Sequence, residues 1–112
     1  MSFFTSLFGA AQETDTIKIL AKEAFKTAIE KDSVQLVDVR TPQEYQAGYI
    51  KDAINIDYFD QATFQQEFDK LDKNEPVYIY CRSGNRSQKA AARLDSLGFK
   101  KIYDLRGGYL GW

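Results

Sequence analysis

The chain has 112 residues, enough for one domain with its own core, and its 44% hydrophobic and 14% aromatic content implies a packed globule rather than a disordered segment. A net charge of −1 supplies no global field to recruit nucleic acid or an anionic membrane surface. The one cysteine excludes an intrachain disulfide and a CxxC pair, and the absence of histidine excludes Ser-His-Asp and Cys-His machinery and most zinc sites, so no metal or cofactor is expected.

Residues 1–14 read as an apolar segment followed by a linker, and residues 15–112 as the folded domain. Phe3, Phe4, Leu7 and Phe8 recur at helical spacing, but the run is too short to span a bilayer and lacks the basic start of a signal peptide. It is expected to pack on the body or on a second copy, which makes a homodimer through the N-terminus a prospect. Gln12 to Thr16 is polar. Ile17–Leu20 alternates as a short strand, and Ala21, Phe25, Ala28 and Ile29 share one face of a helix over 21–30. After the turn Lys31-Asp32-Ser33, Val34–Val39 is almost wholly apolar, as buried strands of parallel sheets are.

Thr41-Pro42-Gln43-Glu44 is a helix start with an N-cap, a proline at the first helical position and a capping-box glutamate. Gly48 ends that short helix, and Arg40 and Glu44 are spaced to pair. Ala53–Ile56 reads as a third strand. Asp60 caps a helix carrying Phe64, Phe68 and Leu71, and Lys73–Pro76 is a turn. Val77–Tyr80 is a strand that runs straight into Cys81. A helix to Leu97 follows the cysteine loop, with Ala90, Leu94 and Leu97 on one face and Gly98 as its stop. Lys101-Ile102-Tyr103 is the last strand, and a glycine-rich segment leads to Trp112. The alternation predicts an α/β domain: a small, mostly parallel β-sheet with helices on both faces. Sites in such sheets form at the carboxyl ends of strands, where Cys81 and the pair Asp38 and Arg40 all stand, so the three are expected to line one crevice.

Cys81 is the candidate nucleophile. Arg82, Ser83, Gly84, Asn85, Arg86 and Ser87 form its candidate loop. Turn amides, a helix N-terminus and two arginines place positive potential beside the sulfur, which favours the thiolate. Gly84 supplies the backbone freedom of a tight loop. With no histidine present, activation has to be electrostatic.

Three motifs in this order resemble a single-domain rhodanese, of the thiosulfate sulfurtransferase family. They are Val37-Asp38-Val39-Arg40 with Glu44-Tyr45, Gly48, Ile50, Ala53 and Asn55-Ile56; Cys81 to Ser87; and Leu105-Arg106-Gly107-Gly108 with Trp112. The resemblance implies a rhodanese-like fold and a Cys81 persulfide that carries sulfane sulfur. The N–H groups of Arg82 to Ser87 would cradle it, and the Arg82 and Arg86 side chains would meet a small anionic donor such as thiosulfate. Asp38 and Arg40 would hold the loop and the Thr41 turn in place, and Gly107 and Gly108 would mark a close backbone approach. A thiol or cyanide accepts the sulfur, and a sulfur-relay protein is a possible partner. The sequence departs from the family at Tyr49, where histidine is usual, and at Asp52, where glycine is usual; both put local loop packing in question rather than the chemistry.

Other readings are a partner-dependent persulfide carrier, an inactive binding module of the same fold, and a cysteine phosphatase. Phosphatases of related fold carry a longer loop, whereas only Arg82, Ser83, Gly84 and Asn85 separate Cys81 from Arg86. An arsenate reductase lacks its second, resolving cysteine here. A binding module has no need of the intact cysteine loop. A free reactive thiol and the absence of a recognisable signal favour the cytoplasm.

Overall fold

The computed structural model describes residues 13–112, so the expectations for the apolar segment before them lie outside the described residues. Five strands, β1 (Ile17–Leu20), β2 (Gln35–Asp38), β3 (Ile54–Asn55), β4 (Val77–Tyr80) and β5 (Ile102–Leu105), form one sheet in the order β1-β5-β4-β2-β3. Every pairing is parallel. Parallel strands need crossovers rather than hairpins. The crossovers here carry α1 (Lys22–Lys31), α2 (Pro42–Gln46), α3 (Gln61–Phe68) and α4 (Asn85–Ser96), and a 3₁₀ turn over Tyr109–Gly111 closes the chain.

The strands alternate their side chains between two separate cores. On one face Phe64 and Phe68 of α3 and Ala90, Ala91 and Leu94 of α4 cover Val37, Val77, Ile79 and Ile102. On the other, Phe25 and Ile29 of α1 cover Leu36, Tyr80 and Leu105, with Tyr109 and Trp112 packed at the border. Phe25, Phe64 and Phe68 are fully buried, and each such side chain contributes about 1.5–3 kcal/mol by leaving water. Of the predicted α1 face, Phe25 and Ile29 are inside, Ala28 is half-buried and Ala21 is the exposed N-cap.

Four boundaries differ from expectation. β3 keeps only two residues, because its single neighbour β2 pairs with Ile54 and Asn55 alone. β5 runs on through Asp104 and Leu105, which find partners in Ile19 and Leu20 of β1. Thr14, in the predicted linker, makes a turn that opens β1: its hydroxyl accepts from the N–H of Ile17 at 2.9 Å. α4 begins at Asn85, so Arg86 and Ser87 belong to its first turn rather than to a loop before it.

Candidate active site

Tyr80 is the last residue of β4, and its carbonyl still accepts from the Val39 N–H at 3.0 Å, which fixes the strand end. The next residue, Cys81, is 1% exposed. Its side chain falls on the α4 face, as alternation from Val77 and Ile79 requires. The chain then turns through Arg82 and Ser83 to Gly84, whose φ of +111° lies in the left-handed region that favours glycine. That conformation aims the Gly84 N–H at Cys81 Sγ, 3.0 Å away. The Cys81 thiol donates to Ser87 Oγ at 3.4 Å, and the Ser87 hydroxyl donates to the Gly84 carbonyl at 3.2 Å. Sulfur, loop amide and the first turn of α4 form one hydrogen-bonded unit. The first amides of a helix have no acceptor within it, and the positive end of the α4 dipole lies at this unit.

The closing segment clamps the loop from outside. Tyr109 N–H donates to the Cys81 carbonyl at 2.8 Å and Leu110 N–H to the Arg82 carbonyl at 3.0 Å. Gly108 makes this approach possible: a Cβ there would stand 2.5 Å from Arg82 O and 2.7 Å from Cys81 O. Gly107 faces open space and is needed only for its φ of +78°. Of the two glycines marked in the sequence, Gly108 alone makes the close approach.

Asp38 and Arg40 are buried but do not share a crevice with Cys81. Leu36 and Tyr80 lie on the α1 face, and Asp38 and Arg40 follow Leu36 in the same alternation. Arg40 Nη2 meets Asp38 Oδ2 and the Gly48 carbonyl, both at 2.6 Å, and its guanidinium lies 4.3 Å from the centroid of the Tyr109 ring. Burial works against the Arg40 charge, but the Asp38 carboxylate outweighs it and holds the group above its ordinary value. The pair fixes the Gly48 turn and the ring of the residue that clamps Cys81.

The expected Arg40–Glu44 pair does not form. Glu44 instead takes Arg86 in a two-point contact, Nη1 to Oε1 at 2.7 Å and Nη2 to Oε2 at 3.0 Å. It also closes the predicted capping box, accepting from the Thr41 N–H at 3.0 Å. The Arg86 hydrogen bonds, against the cost of burial, hold the Glu44 carboxyl at about 2. Arg86 is thus neutralised by a partner and half-buried over Phe59, with its ring centroid 5.2 Å away. Arg82, Ser83 and Asn85 are exposed, which leaves Arg82 as the loop's open cation. Tyr49 stacks on Tyr45 at 4.1 Å, and Asp52 sits in an exposed turn beside Lys51, whose φ is +47°.

Sequence reasoning passed over Asp104, because β5 was expected to stop one residue earlier. It is 2% exposed, and its Oδ1 has no hydrogen-bond partner among the described residues. Burial drives its carboxyl up to about 7, opposed by the Ser87 hydroxyl. The available signal was the alternation of Ile102 and Asp104 against Tyr103 and Leu105. Among the described residues no helix is long and apolar enough to cross a membrane.

A family model described as Rhodanese-like domain matches residues 21–112. The thiosulfate sulfurtransferase GlpE of Pseudomonas syringae is 40% identical over 85 residues, covering 76% of this chain and 77% of its own. The uncharacterized protein YqhL of Bacillus subtilis is 36% identical over 96 residues, covering 86% of this chain and 72% of its own. Among solved structures, a rhodanese-like domain protein from Staphylococcus aureus superposes with a TM-score of 0.74 at 33% identity, over 85% of this chain and 90% of the other.

Proposed function

From the premise that this chain belongs to the rhodanese-like domain family, we propose that it moves sulfane sulfur from thiosulfate, or a related small anionic donor, to a thiol or cyanide through a persulfide on Cys81. The observation that carries the reading is the Gly84 N–H directed at Cys81 Sγ at 3.0 Å, at the N-terminus of α4.

The Cys81 thiolate attacks the outer sulfur of thiosulfate. A Cys81 S–S bond forms, the bond to the sulfonate sulfur breaks, and sulfite leaves with that electron pair. The product persulfide is an anion. Loop amides and the helix dipole stabilise it as an oxyanion hole stabilises oxygen. In the second step an acceptor thiolate or cyanide attacks the terminal sulfur, and Cys81 leaves as thiolate. The Arg82 side chain, exposed beside the sulfur, attracts the incoming anion. Since Cys81 must remain a free thiol between turnovers, a reducing compartment such as the cytoplasm suits it.

A second reading, a carrier that delivers sulfur to a partner protein, draws on the loop's surroundings. Phe59 and Leu110 are 64% and 63% exposed. One packs on Arg86 and the other bonds to Arg82, so apolar side chains border the loop as they border contact surfaces.

Intact mass spectrometry of the reduced protein incubated with thiosulfate tests both. A gain of one sulfur, removed by cyanide and absent from Cys81→Ser, is the expected result. No gain on a demonstrably free thiol overturns thiosulfate as donor. A persulfide that cyanide discharges only slowly favours the carrier.

A further inference from the structure

The site contains a second buried group that the sulfur chemistry above does not use. Asp104 lies on the same face of the sheet as Cys81: Ile102 and Asp104 of β5 face α4 together, as Val77, Ile79 and Cys81 of β4 do. Ile79 and Ile19 are its register partners on the two neighbouring strands, and Ser87 reaches it from α4. No salt bridge to it forms among the described residues, and Arg86, the cation of the same helical turn, is held by Glu44. Of the titratable groups on this face, Cys81 is the one joined to Asp104, and Ser87 is the link. Ser87 is itself fully buried, with its Oγ 3.4 Å from Cys81 Sγ.

Ser87 has one proton and two buried acceptors. The Gly84 carbonyl holds it at 3.2 Å, and Asp104 Oδ1 is left without a partner. A carboxylate oxygen enclosed and unpartnered is costly, and most buried polar atoms avoid that state. A proton placed on Asp104 removes the cost.

We propose that Asp104 is a positioning residue that holds the proton leaving Cys81, with Ser87 as the bridge. The Cys81 S–H bond breaks as its proton passes to Ser87 Oγ. The original Ser87 proton moves from the Gly84 carbonyl to Asp104 Oδ1. The net change is one negative charge transferred from carboxylate to sulfur. The enclosed site then carries a single negative charge throughout: on Asp104 while Cys81 is a thiol, and on sulfur in the thiolate and the persulfide. Two buried anions this close compete for one proton and titrate as a pair. A carboxyl shifted by burial toward neutrality suits that exchange at ordinary pH.

The inference builds on the persulfide reading, but its test does not depend on a sulfur donor. Iodoacetamide alkylation of Cys81 is measured against pH for wild type and Asp104→Asn. The amide cannot carry the competing charge, so the variant's rate profile is expected to shift toward acid. Alkylation should be several-fold faster than wild type near about pH 7. Superimposable profiles in a variant that melts as wild type does would overturn the proposal, and so would a shift toward alkali. A measurement on the unmutated residue guards against a variant that misfolds. The side-chain ¹³C carboxyl resonance of Asp104 is followed in the reduced wild type and in Cys81→Ser. Wild-type Asp104 should keep its proton to higher pH, because a thiolate forms beside it. Identical titrations would also overturn the proposal. If thiosulfate adds no sulfur while the alkylation profiles still separate, the proton partner stands and the donor assignment fails.

Discussion

Arg86 and Glu44, 42 residues apart in the chain, are joined at two points, 2.7 and 3.0 Å. This contact ties the first turn of α4, and with it the cysteine loop, to the first turn of α2. It also decides which arginine is open to an incoming anion, since the charge of Arg86 is matched and that of Arg82 is not.

Arg82→Ala is therefore expected to raise the KM for thiosulfate several-fold with little change in melting temperature. Arg86→Ala should instead lower stability by about 1 kcal/mol, because it strips a half-buried partner from Glu44. Steady-state kinetics and thermal melts on both variants separate the roles. A larger KM effect from Arg86→Ala would return the anion contact to that residue.

The same pair makes stability depend on acid. The Glu44 carboxyl sits near 2 in the fold against an ordinary 4.5. Its contribution is thus present in full above about 4.5 and is lost as pH falls through about 2. Glu44→Gln should cost about 1–3 kcal/mol at neutral pH and flatten the decline of stability in that acid window, read by urea unfolding at a series of pH values.

Gly108→Ala should be far more damaging than Gly107→Ala. A methyl group at 108 would overlap the Arg82 and Cys81 carbonyls, whereas one at 107 meets only the strain of its positive φ. Losses of about 3 kcal/mol or more and about 1 kcal/mol are expected in turn, with sulfur transfer collapsing in the first variant. Equal melting temperatures would show that the clamp yields easily.

Arg40→Met removes one member of a buried pair and strands the other, because Asp38 is fully enclosed. A destabilisation of about 3–5 kcal/mol is expected. The double variant Asp38→Asn, Arg40→Met should recover part of it, since no unpaired charge is left behind. Chemical denaturation of the single and double variants measures the difference.

What the sequence determined by itself was local. Val77–Tyr80 ends at Cys81 because β-prone residues give way to a glycine turn and a helix start. Thr41, Pro42 and Glu44 specify a helix N-terminus through contacts within one turn, and the capping box forms as its pattern implies. The alternation of apolar strands with amphipathic helices required crossovers, and so a parallel sheet. Tertiary structure decided which charged groups meet. Glu44 has Arg40 at helical spacing, yet binds Arg86. Arg40 precedes the helix, and its side chain turns back to Asp38 on the α1 face of the sheet. Asp104 became part of the site only because β1 extends β5 by two residues and α4 lies across it. Such pairings depend on which face of the sheet a residue takes and which strand lies beside it. Strand order sets both, and strand order is fixed by contacts between residues far apart in the chain.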